Sequence, residues 1–287
     1  MRRYALVTFL TDYGLDDPFV GLCHAVLAAG APGARVVDLT HGIEAQDVRH
    51  GAVVLADCVG CLPPAVHLAV VDPGVGTSRR PVVVRAGESL LVGPDNGLLW
   101  PAAARLGGAT GAWEIAARAP GPSRTFDGRD VFAPAAARLA GSVPPDQLGP
   151  ALAVDAMVRL DLPGPRLSAG RLDAEILLAD RFGNLQLAAS PADLDMAGLR
   201  LGQRLTVNGQ PATRCETFAE ITGLGVLPDA FGRAQVAVNQ GSAAQLLHLR
   251  PGDTISIQRQ PPDLRLQAPP DLTTALLDEH RCPRVGQ

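Results

Sequence analysis

Residues 70–80 combine a carboxylate and a guanidinium in a pattern that can hold a small polar reactant. The apolar run 66–71 ends at Asp72, and the turn-forming residues 73–76, Pro-Gly-Val-Gly, follow at once. Because proline fixes φ and glycine tolerates positive φ, we expect the chain to reverse there and bring Arg79 back toward Asp72. An acid and an arginine at the end of a buried strand would position and polarise a small polar reactant. The alternative is a strand, a turn and a surface ion pair.

Other acidic and polar residues also follow predicted strands. Asp12 comes after the first strand, and Asp95 and Asn96 come after another. Asp127 lies in a polar loop before a helix. Ligands of open α/β sheets bind at the carboxyl ends of the strands, so several such residues together indicate a site there. Turn composition alone is the alternative, and we favour it for Asp95 and Asn96.

The segment 180–184, Asp-Arg-Phe-Gly-Asn, interrupts two apolar strands in the second half of the chain. One interpretation is a plain hairpin turn. The other is a binding segment, in which Asp180 offers a carboxylate to an amine, Phe182 a ring for stacking and Asn184 an amide for the edge of a base. The pattern alone leaves both interpretations open.

Composition narrows the classes of function. The net charge is −4 at pH 7, which argues against nucleic acid or an anionic membrane as the general partner. All 25 basic residues are arginine, so mechanisms that use a lysine Schiff base or a Walker lysine are excluded. The motif Gly74-Val75-Gly76 lacks the third glycine of a dinucleotide fingerprint, and we expect no cofactor of that type.

The five cysteines are odd in number and scattered, which favours reduced thiols and a cytoplasmic location. Cys58 and Cys61 have the spacing of a metal or redox pair, but no second pair or histidine lies at ligand spacing, so we place them at a helix end. The six histidines form no metal-type cluster in the sequence, and we assign them to structure. We therefore expect neither a metal nor a redox cofactor.

The apolar run near the N-terminus is short and is stopped by Asp12, so it predicts a first strand rather than a signal peptide. No run is long enough to span a membrane. Asp17 followed by Pro18 predicts an N-cap and the start of a helix over 18–29. Further helices are predicted over 44–59 and, after the polar loop, over 131–139.

Two regions with different strand patterns follow one another. In residues 1–162 strands alternate with helices, which predicts an N-terminal α/β domain with a largely parallel central sheet. Residues 162–165, Leu-Pro-Gly-Pro, are typical of a linker. Short strands between turns in residues 166–262 predict a C-terminal small antiparallel β-barrel. Residues 263–287 form a tail, in which a helix over 271–279 is predicted.

Taken together, these segments resemble the S-adenosylmethionine hydrolases, or hydroxide adenosyltransferases, which are related to the fluorinases and chlorinases. The resemblance runs in order from residue 8 to about residue 247 and implies an N-terminal α/β domain, a C-terminal β-barrel and a homotrimer. It also implies active sites between the first domain of one subunit and the second domain of a neighbour. The matching segments are TFLTDYGLDDPFVG, ARVVDLTHGI with QDVRHGA, VHLAVVDPGVGTSRR, LLVGPDNGLL, TFDGRDVFAPAAARLA, DRFGNLQL and FGRAQVAVNQGSAAQLL.

The resemblance implies an Asp, an Arg and a His around the attacking water. The Asp falls on Asp72 and the Arg on Arg79. The His position is Asp127, within Thr-Phe-Asp-Gly-Arg-Asp where the family pattern has Thr-Phe-His-Gly-Arg-Asp. Our hypothesis is that Asp72 and Asp127 share a proton as a coupled pair. The alternative is that Asp127 is a loop residue and that Asp72 with Arg79 suffices.

The resemblance also implies which residues bind substrate. In the first domain, Asp12 falls on the position that binds the ribose hydroxyls, and Phe126 and Gly128 flank the nucleoside. In the second domain the implied groups are Asp180 for the methionine ammonium, Phe182 and Asn184 for the adenine, and the backbone of Val238 to Gln240 for the adenine edge.

A second departure from the family pattern lies at Asp229-Ala230, where the family has Asn-Ser, so a hydroxyl that would bind the methionine carboxylate is missing. The sequence predicts hydrolysis of S-adenosylmethionine to adenosine and methionine by attack of water on ribose C5′. The alternatives are a non-catalytic protein that binds adenosine or S-adenosylmethionine, and a hydrolase of a related 5′-substituted nucleoside. Halide transfer is disfavoured, because Asp72 and Asp127 would repel an anionic nucleophile.

Overall fold

The computed structural model describes residues 4–116, 118 and 124–260. The predicted tail helix over 271–279 lies outside the described residues. The strands are β1 (Leu6–Thr11), β2 (Arg35–Thr40), β3 (Val66–Val70), β4 (Pro81–Ala86), β5 (Ser89–Pro94), β6 (Ala109–Glu114), β7 (Ala151–Leu152), β8 (Arg166–Ser168), β9 (Arg171–Ala179), β10 (Leu185–Leu187), β11 (Arg204–Val207), β12 (Gln210–Arg214), β13 (Leu224–Pro228), β14 (Ala234–Val238) and β15 (Thr254–Arg259). The helices are α1 (Phe19–Gly30), α2 (Val48–Val59), α3 (Trp100–Arg105), α4 (Ala133–Ala140), α5 (Pro191–Met196) and α6 (Ala243–Leu247). Within the described ranges, no helix combines the length and apolarity needed to cross a bilayer.

Strands β1 to β7 form one sheet in the order β2-β1-β3-β5-β4-β6-β7. Strands β2, β1, β3 and β5 run parallel, whereas β4, β6 and β7 are antiparallel to their neighbours. Every residue of β3 is buried, as expected for an apolar strand covered on both faces. The predicted α/β domain with a parallel-rich sheet is confirmed.

Helices cover both faces of this sheet, and alternate side chains of each strand supply the two cores. Helices α1 and α4 pack on the face that carries Phe9 and Leu68. Helices α2 and α3 pack on the face that carries Leu10 and Ala69. Strand β3 is therefore held between two apolar layers, and Asp72 emerges just beyond its carboxyl end.

The second half of the chain closes into a barrel of the strands β10-β14-β13-β12-β11-β15-β9, with β9 pairing back onto β10. Its interior is apolar and includes Leu172, Ile176, Leu185, Val236 and Ile257. The predicted barrel is confirmed. One neighbouring pair, β12 and β13, is parallel rather than antiparallel. The connection between β12 and β13 contains a short helical turn instead of a hairpin loop. It carries the chain back along the barrel, so β13 runs in the same direction as β12.

Helix α2 contacts the barrel through a cluster of polar side chains. Arg233 Nε donates to Asp57 Oδ1 at 2.8 Å. Gln186 Nε2 donates to Asp57 at 2.9 Å and to Asp229 at 2.6 Å. Burial raises the pKa of Asp57, and the charge and hydrogen bond of Arg233 act in the opposite direction. The boundary between the α/β domain and the β-barrel domain, which the sequence placed after residue 162, stays a prediction.

Three local predictions need correction. Asp17 does not cap α1, because the first bond of the helix runs from Leu22 N–H to the carbonyl of Pro18, which occupies the N-cap position without a side-chain cap. Helix α2 begins at Val48 rather than at residue 44, because Asp47 caps it. The loop before α4 is shorter than expected, since one turn of π-helix, Gly128–Phe132, leads directly into that helix.

Candidate active site

Asp72 and Arg79 form the ion pair that the turn between them predicts. The chain reverses through residues 73–76, where Gly76 has a φ of +79°. Thr77 stabilises the turn by donating its hydroxyl to the carbonyl of Gly74 at 2.6 Å. Arg79 Nε then donates to the two carboxylate oxygens of Asp72 at 2.9 and 3.0 Å. Local turn chemistry therefore places the guanidinium against the acid.

Asp127 joins the same arginine from a distant part of the chain. It lies directly before the π-helical turn, and its Oδ2 accepts from Arg79 Nη2 at 2.6 Å. Its other oxygen contacts the guanidinium of Arg118. Arg79 therefore stands between two carboxylates, and Asp127 stands between two arginines. Arg118 was not identified from the sequence, because it lies in no motif and its partners are not its neighbours on a helix or strand.

These charges are largely shielded from solvent. The side chains of Asp72, Asp127 and Arg79 are only 6%, 8% and 11% exposed, so their mutual interactions are screened weakly. Burial by itself lowers the pKa of Arg79, but the hydrogen bonds and charges of Asp72 and Asp127 outweigh it and the pKa lies above its usual value. The Arg79 guanidinium also lies 5.1 Å from the ring centre of Phe132. Arg79 is therefore a fixed, permanently charged group.

A cleft of about 370 Å³ opens in front of this cluster. Its lining includes Asp72 and Asp127, whereas Arg79 lines a neighbouring cleft on the other side of Asp127. Both acids therefore face the 370 Å³ cleft, and Asp127 also lines the neighbouring cleft, from whose side the Arg79 guanidinium holds the two acids. The other residues that the sequence assigned to this half of the site, Asp12, Phe126 and Gly128, line the same cleft.

Polar and aromatic groups shape the rest of this cleft. Asp12 is anchored by the backbone N–H of Gln46, which donates to Oδ2 at 2.8 Å and leaves Oδ1 available to a ligand. The ring of Phe126 meets those of Tyr13 and Phe19 edge to face, with centroids 5.9 and 5.2 Å apart. Burial raises the pKa of Tyr13, so its phenol stays protonated. The cleft thus offers a carboxylate at one end and an aromatic wall beside it.

Gly128 is required by close packing at this wall. A Cβ at this position would lie 2.2 Å from the hydroxyl oxygen of Tyr13 and 3.0 Å from the ring of Phe126. Glycine therefore lets the start of the π-helical turn approach both aromatic side chains.

A second cleft, of about 430 Å³, lies on the barrel. Its lining includes Phe182, Asn184, Val238 and Gln240, which the sequence assigned to the adenine half of the site, together with Phe218. Two of its aromatic rings are open to solvent, since Phe182 is 70% exposed and Phe218 is 43% exposed. Within the part of the chain that the structure describes, the two clefts share no lining residue.

Asp180 holds the turn that presents this second cleft. Its Oδ1 accepts the backbone N–H groups of Phe182 and Asn184, each at 2.9 Å, and its Oδ2 accepts from Asn184 Nδ2 at 2.8 Å. The residue is exposed, but it is not part of the cleft lining. Its assignment to a substrate ammonium stays a prediction, and the structure adds a role in ordering Asn184.

Asp95 and Asn96, which we interpreted as turn residues, do not line the first cleft. Asp95 accepts from Arg80 Nε at 3.0 Å and from the N–H of Val158 at 2.9 Å. Asn96 Nδ2 donates to the carbonyl of Val71 at 2.9 Å. Asn96 therefore fixes the backbone directly before Asp72, and Asp95 links Arg80 to the backbone of Val158.

The barrel segment that departs from the family pattern is a tight turn. Asp229 Oδ1 accepts the N–H groups of Phe231 and Arg233, each at 2.8 Å, which closes the turn around Ala230. The side chain of Asp229 is thus used within the turn and by Gln186. Ala230 is exposed and offers no hydrogen-bonding group from its side chain.

The fold and the site define a two-part protein, with an acid–arginine cluster at the carboxyl edge of an α/β sheet and an aromatic cleft on a β-barrel. Family models describe both parts: the SAM hydroxide adenosyltransferase N-terminal domain matches residues 7–149, and the corresponding C-terminal domain matches residues 174–256. The chain belongs to this family. The resemblance found in the sequence is thereby confirmed.

Individual relatives agree with this assignment. An (R)-S-adenosyl-L-methionine hydrolase of Salinispora tropica is 50% identical over 256 residues, which cover 88% of this chain and 97% of the relative. A fluorinase of an Actinoplanes species is more distant, at 26% identity over 88% of this chain and 97% of its own. The crystal structure of an uncharacterized conserved protein from Thermotoga maritima superposes with a TM-score of 0.83 at 34% identity, over 88% of this chain and 100% of that one.

We expect Gly128→Ala to weaken binding of adenosine, the probe that the sequence resemblance suggests, by about tenfold or more. The added methyl group must displace Tyr13 or Phe126 and deform the aromatic wall. Isothermal titration with adenosine measures the change. Gly21→Ala is the matched control, because a Cβ there meets nothing within 4 Å. Equal affinity in Gly128→Ala and wild type would show that this wall does not contact the nucleoside.

Proposed function

We propose that this protein hydrolyses S-adenosylmethionine to adenosine and methionine. The observation that carries the proposal is the pair of buried acids, Asp72 and Asp127, held by Arg79 at the wall of a cleft of about 370 Å³. Membership of the hydroxide adenosyltransferase family and the 50% identical hydrolase of Salinispora tropica support it. The missing serine at Ala230 leaves a related 5′-substituted nucleoside as a second substrate class.

The proposed step is an in-line displacement at ribose C5′. A water oxygen forms the new bond to C5′ while the bond from C5′ to sulfur breaks, and the electron pair of that bond neutralises the sulfonium. Methionine leaves as a neutral thioether, so the leaving group needs no acid. The proton lost by the water passes to a carboxylate of the site and then to solvent. The protein must hold the water in line and keep other water away.

The charges of the site suit a cationic substrate. Three carboxylates, those of Asp12, Asp72 and Asp127, face the cleft. The guanidinium groups of Arg79 and Arg118, which partly balance them, line the neighbouring cleft instead. The cleft is therefore favourable to a sulfonium and unfavourable to a halide ion. This arrangement favours hydrolysis over the halogen transfer for which the distant fluorinases are named.

Different roles follow for the three clustered residues. Asp72 and Asp127 face the cleft, so either can accept a hydrogen bond from the attacking water, and we assign them as the catalytic carboxylates, one of which takes the proton of the water as a general base. Arg79 is a positioning residue, because it reaches the water only through the carboxylates that it holds. We retain the hypothesis that the two acids act as a coupled pair that shares one proton during the reaction.

We expect the purified protein to form adenosine and methionine from S-adenosylmethionine, measured by chromatography. Asp127→Asn should lose about a hundredfold or more in kcat, because an amide cannot accept the proton, whereas Asp127→His should remain active. Asp146→Asn, at an exposed acid outside the cleft, is the matched control and should behave as wild type.

Two outcomes of this experiment would contradict the assignment. Unchanged turnover in a folded Asp127→Asn variant would remove Asp127 from the mechanism and leave Asp72 with Arg79. Adenosine binding by the wild type without any product would identify a non-catalytic binding protein instead of a hydrolase.

We further propose a homotrimer in which the first cleft of one subunit meets the barrel cleft of a neighbour. Three observations support this arrangement. Among the described residues the two clefts of one chain share none, one cleft carries the acids and the other the exposed rings of Phe182 and Phe218, and both clefts are open to solvent. Joining them would bury the exposed rings against the substrate.

Mixed assemblies test whether a site is shared between subunits. Asp72→Asn damages the first cleft, and Phe182→Ala damages the barrel cleft, so each variant alone should have little activity at low substrate concentration. When the two are co-expressed and co-assembled, roughly a quarter of the sites should combine an intact half from each chain and recover activity. If activity stays at the level of the separate variants, or light scattering shows a monomer, the shared site is wrong.

We also propose a cytoplasmic location, supported by the four free cysteines among the described residues. The proposed reaction has a neutral leaving group and no change of oxidation state. Its chemistry therefore calls for no redox cofactor and no metal at C5′.

A further inference from the structure

A cluster of two histidines and an aspartate lies outside the proposed active site. Helix α1 carries His24, strand β2 carries Asp38, and His41 directly follows that strand. His24 Nε2 lies 2.8 Å from Asp38 Oδ1, and His41 Nε2 lies 3.2 Å from the same oxygen. All three ligand atoms lie within 4.8 Å of one another. A single ion at about 2.0–2.2 Å from each therefore requires only small side-chain movements.

The Nε2 atom of His41 points to a ligand. The His41 side chain is 4% exposed, and among the described residues its Nε2 has no hydrogen-bond partner. It lies close to Asp38 Oδ1, but the two atoms are not aligned for a hydrogen bond. A buried imidazole nitrogen without a hydrogen bond is costly, and a coordinated cation would satisfy it.

The surroundings hold both imidazole rings in place. Thr11 Oγ1 lies 2.9 Å from His41 Nδ1, so the second nitrogen of this ring is engaged and Nε2 is directed at the cluster. Such a hydrogen bond on the far nitrogen is typical of histidines that bind metal. The ring of Phe9 packs edge to face against both His41 and His24, with centroids 4.8 and 5.9 Å apart.

We propose that His24, Asp38 and His41 bind one divalent transition-metal ion of the zinc or cobalt type. Two imidazoles and one carboxylate suit these ions better than Mg²⁺ or Ca²⁺, which prefer oxygen ligands. The side chains of His24 and Asp38 are 34% and 41% exposed, which leaves an entry path and room for water ligands. The buried His41 forms the floor of the site.

The ion would tie together three elements at one edge of the sheet. Strand β2 is the edge strand next to β1, and α1 packs across them. His41 also connects through Thr11 to the end of β1, one residue before Asp12. None of the three ligands lines the substrate cleft, so the ion has a structural role and stabilises the protein by binding only its folded state.

Cobalt binding to the tag-free, chelator-treated full chain tests the proposal. We expect one Co²⁺ per chain by equilibrium dialysis, a visible absorption band from the coordinated ion, and a rise in Tm when Zn²⁺ or Co²⁺ is added. His24→Ala and Asp38→Asn each remove one half-exposed ligand and should weaken binding about tenfold or more. Both variants should also lose the metal-dependent rise in Tm.

Two control variants separate this site from other donors. His248→Asn removes a histidine outside the cluster at a position with a φ of +54°, which asparagine tolerates, and should bind cobalt as wild type does. A Cys58→Ser/Cys61→Ser variant should also bind normally. The proposal is overturned if wild type takes up no stoichiometric ion, if His24→Ala binds as tightly as wild type, or if the cysteine variant abolishes binding.

Discussion

The guanidinium of Arg79 is the charge on which the arrangement of the site depends. Without it, Asp72 would lose this cation and Asp127 would keep only Arg118, so the repulsion between the two weakly screened carboxylates would push them apart. With it, both acids accept hydrogen bonds from one fixed cation and keep an edge toward the cleft. The planar fork of an arginine suits this task, because it can hold one acid through two nitrogens and still reach another.

The rest of the fold supplies rigid supports for this cluster. Strand β3 is buried between two helical layers, so Asp72 is delivered from a backbone that has little freedom. Asn96 holds the strand end, and the turn with Gly76 returns Arg79 to it. A buried ion cluster contributes little to stability after its desolvation cost. Its placement at a cleft therefore fits a role in chemistry rather than in folding.

Features determined by neighbouring residues were predictable from the sequence. The apolar run of β3, the turn after Asp72 and the return of Arg79 all lie within one short segment, and the structure shows each of them. The helix predicted over 18–29 is observed as Phe19–Gly30, but its predicted cap was wrong, although it also rests on local pattern, because Pro18 rather than Asp17 occupies the N-cap position.

Features determined by long-range pairing were not predictable in the same way. Arg118 reaches Asp127 from a segment without any motif. His24 and His41 meet Asp38 only because β2 pairs with β1 and α1 packs against them, so their positions in the sequence show no ligand spacing. The parallel pairing of β12 with β13 likewise depends on where the returning chain packs.

The variant Arg79→Lys tests whether Arg79 positions the two acids for the chemical step. Lysine keeps the positive charge but cannot hold two carboxylates with a planar fork. We expect kcat for adenosine formation to fall by about a hundredfold or more, while the affinity for adenosine stays within about twofold of wild type. A lysine variant that turns over S-adenosylmethionine at the wild-type rate would contradict this role.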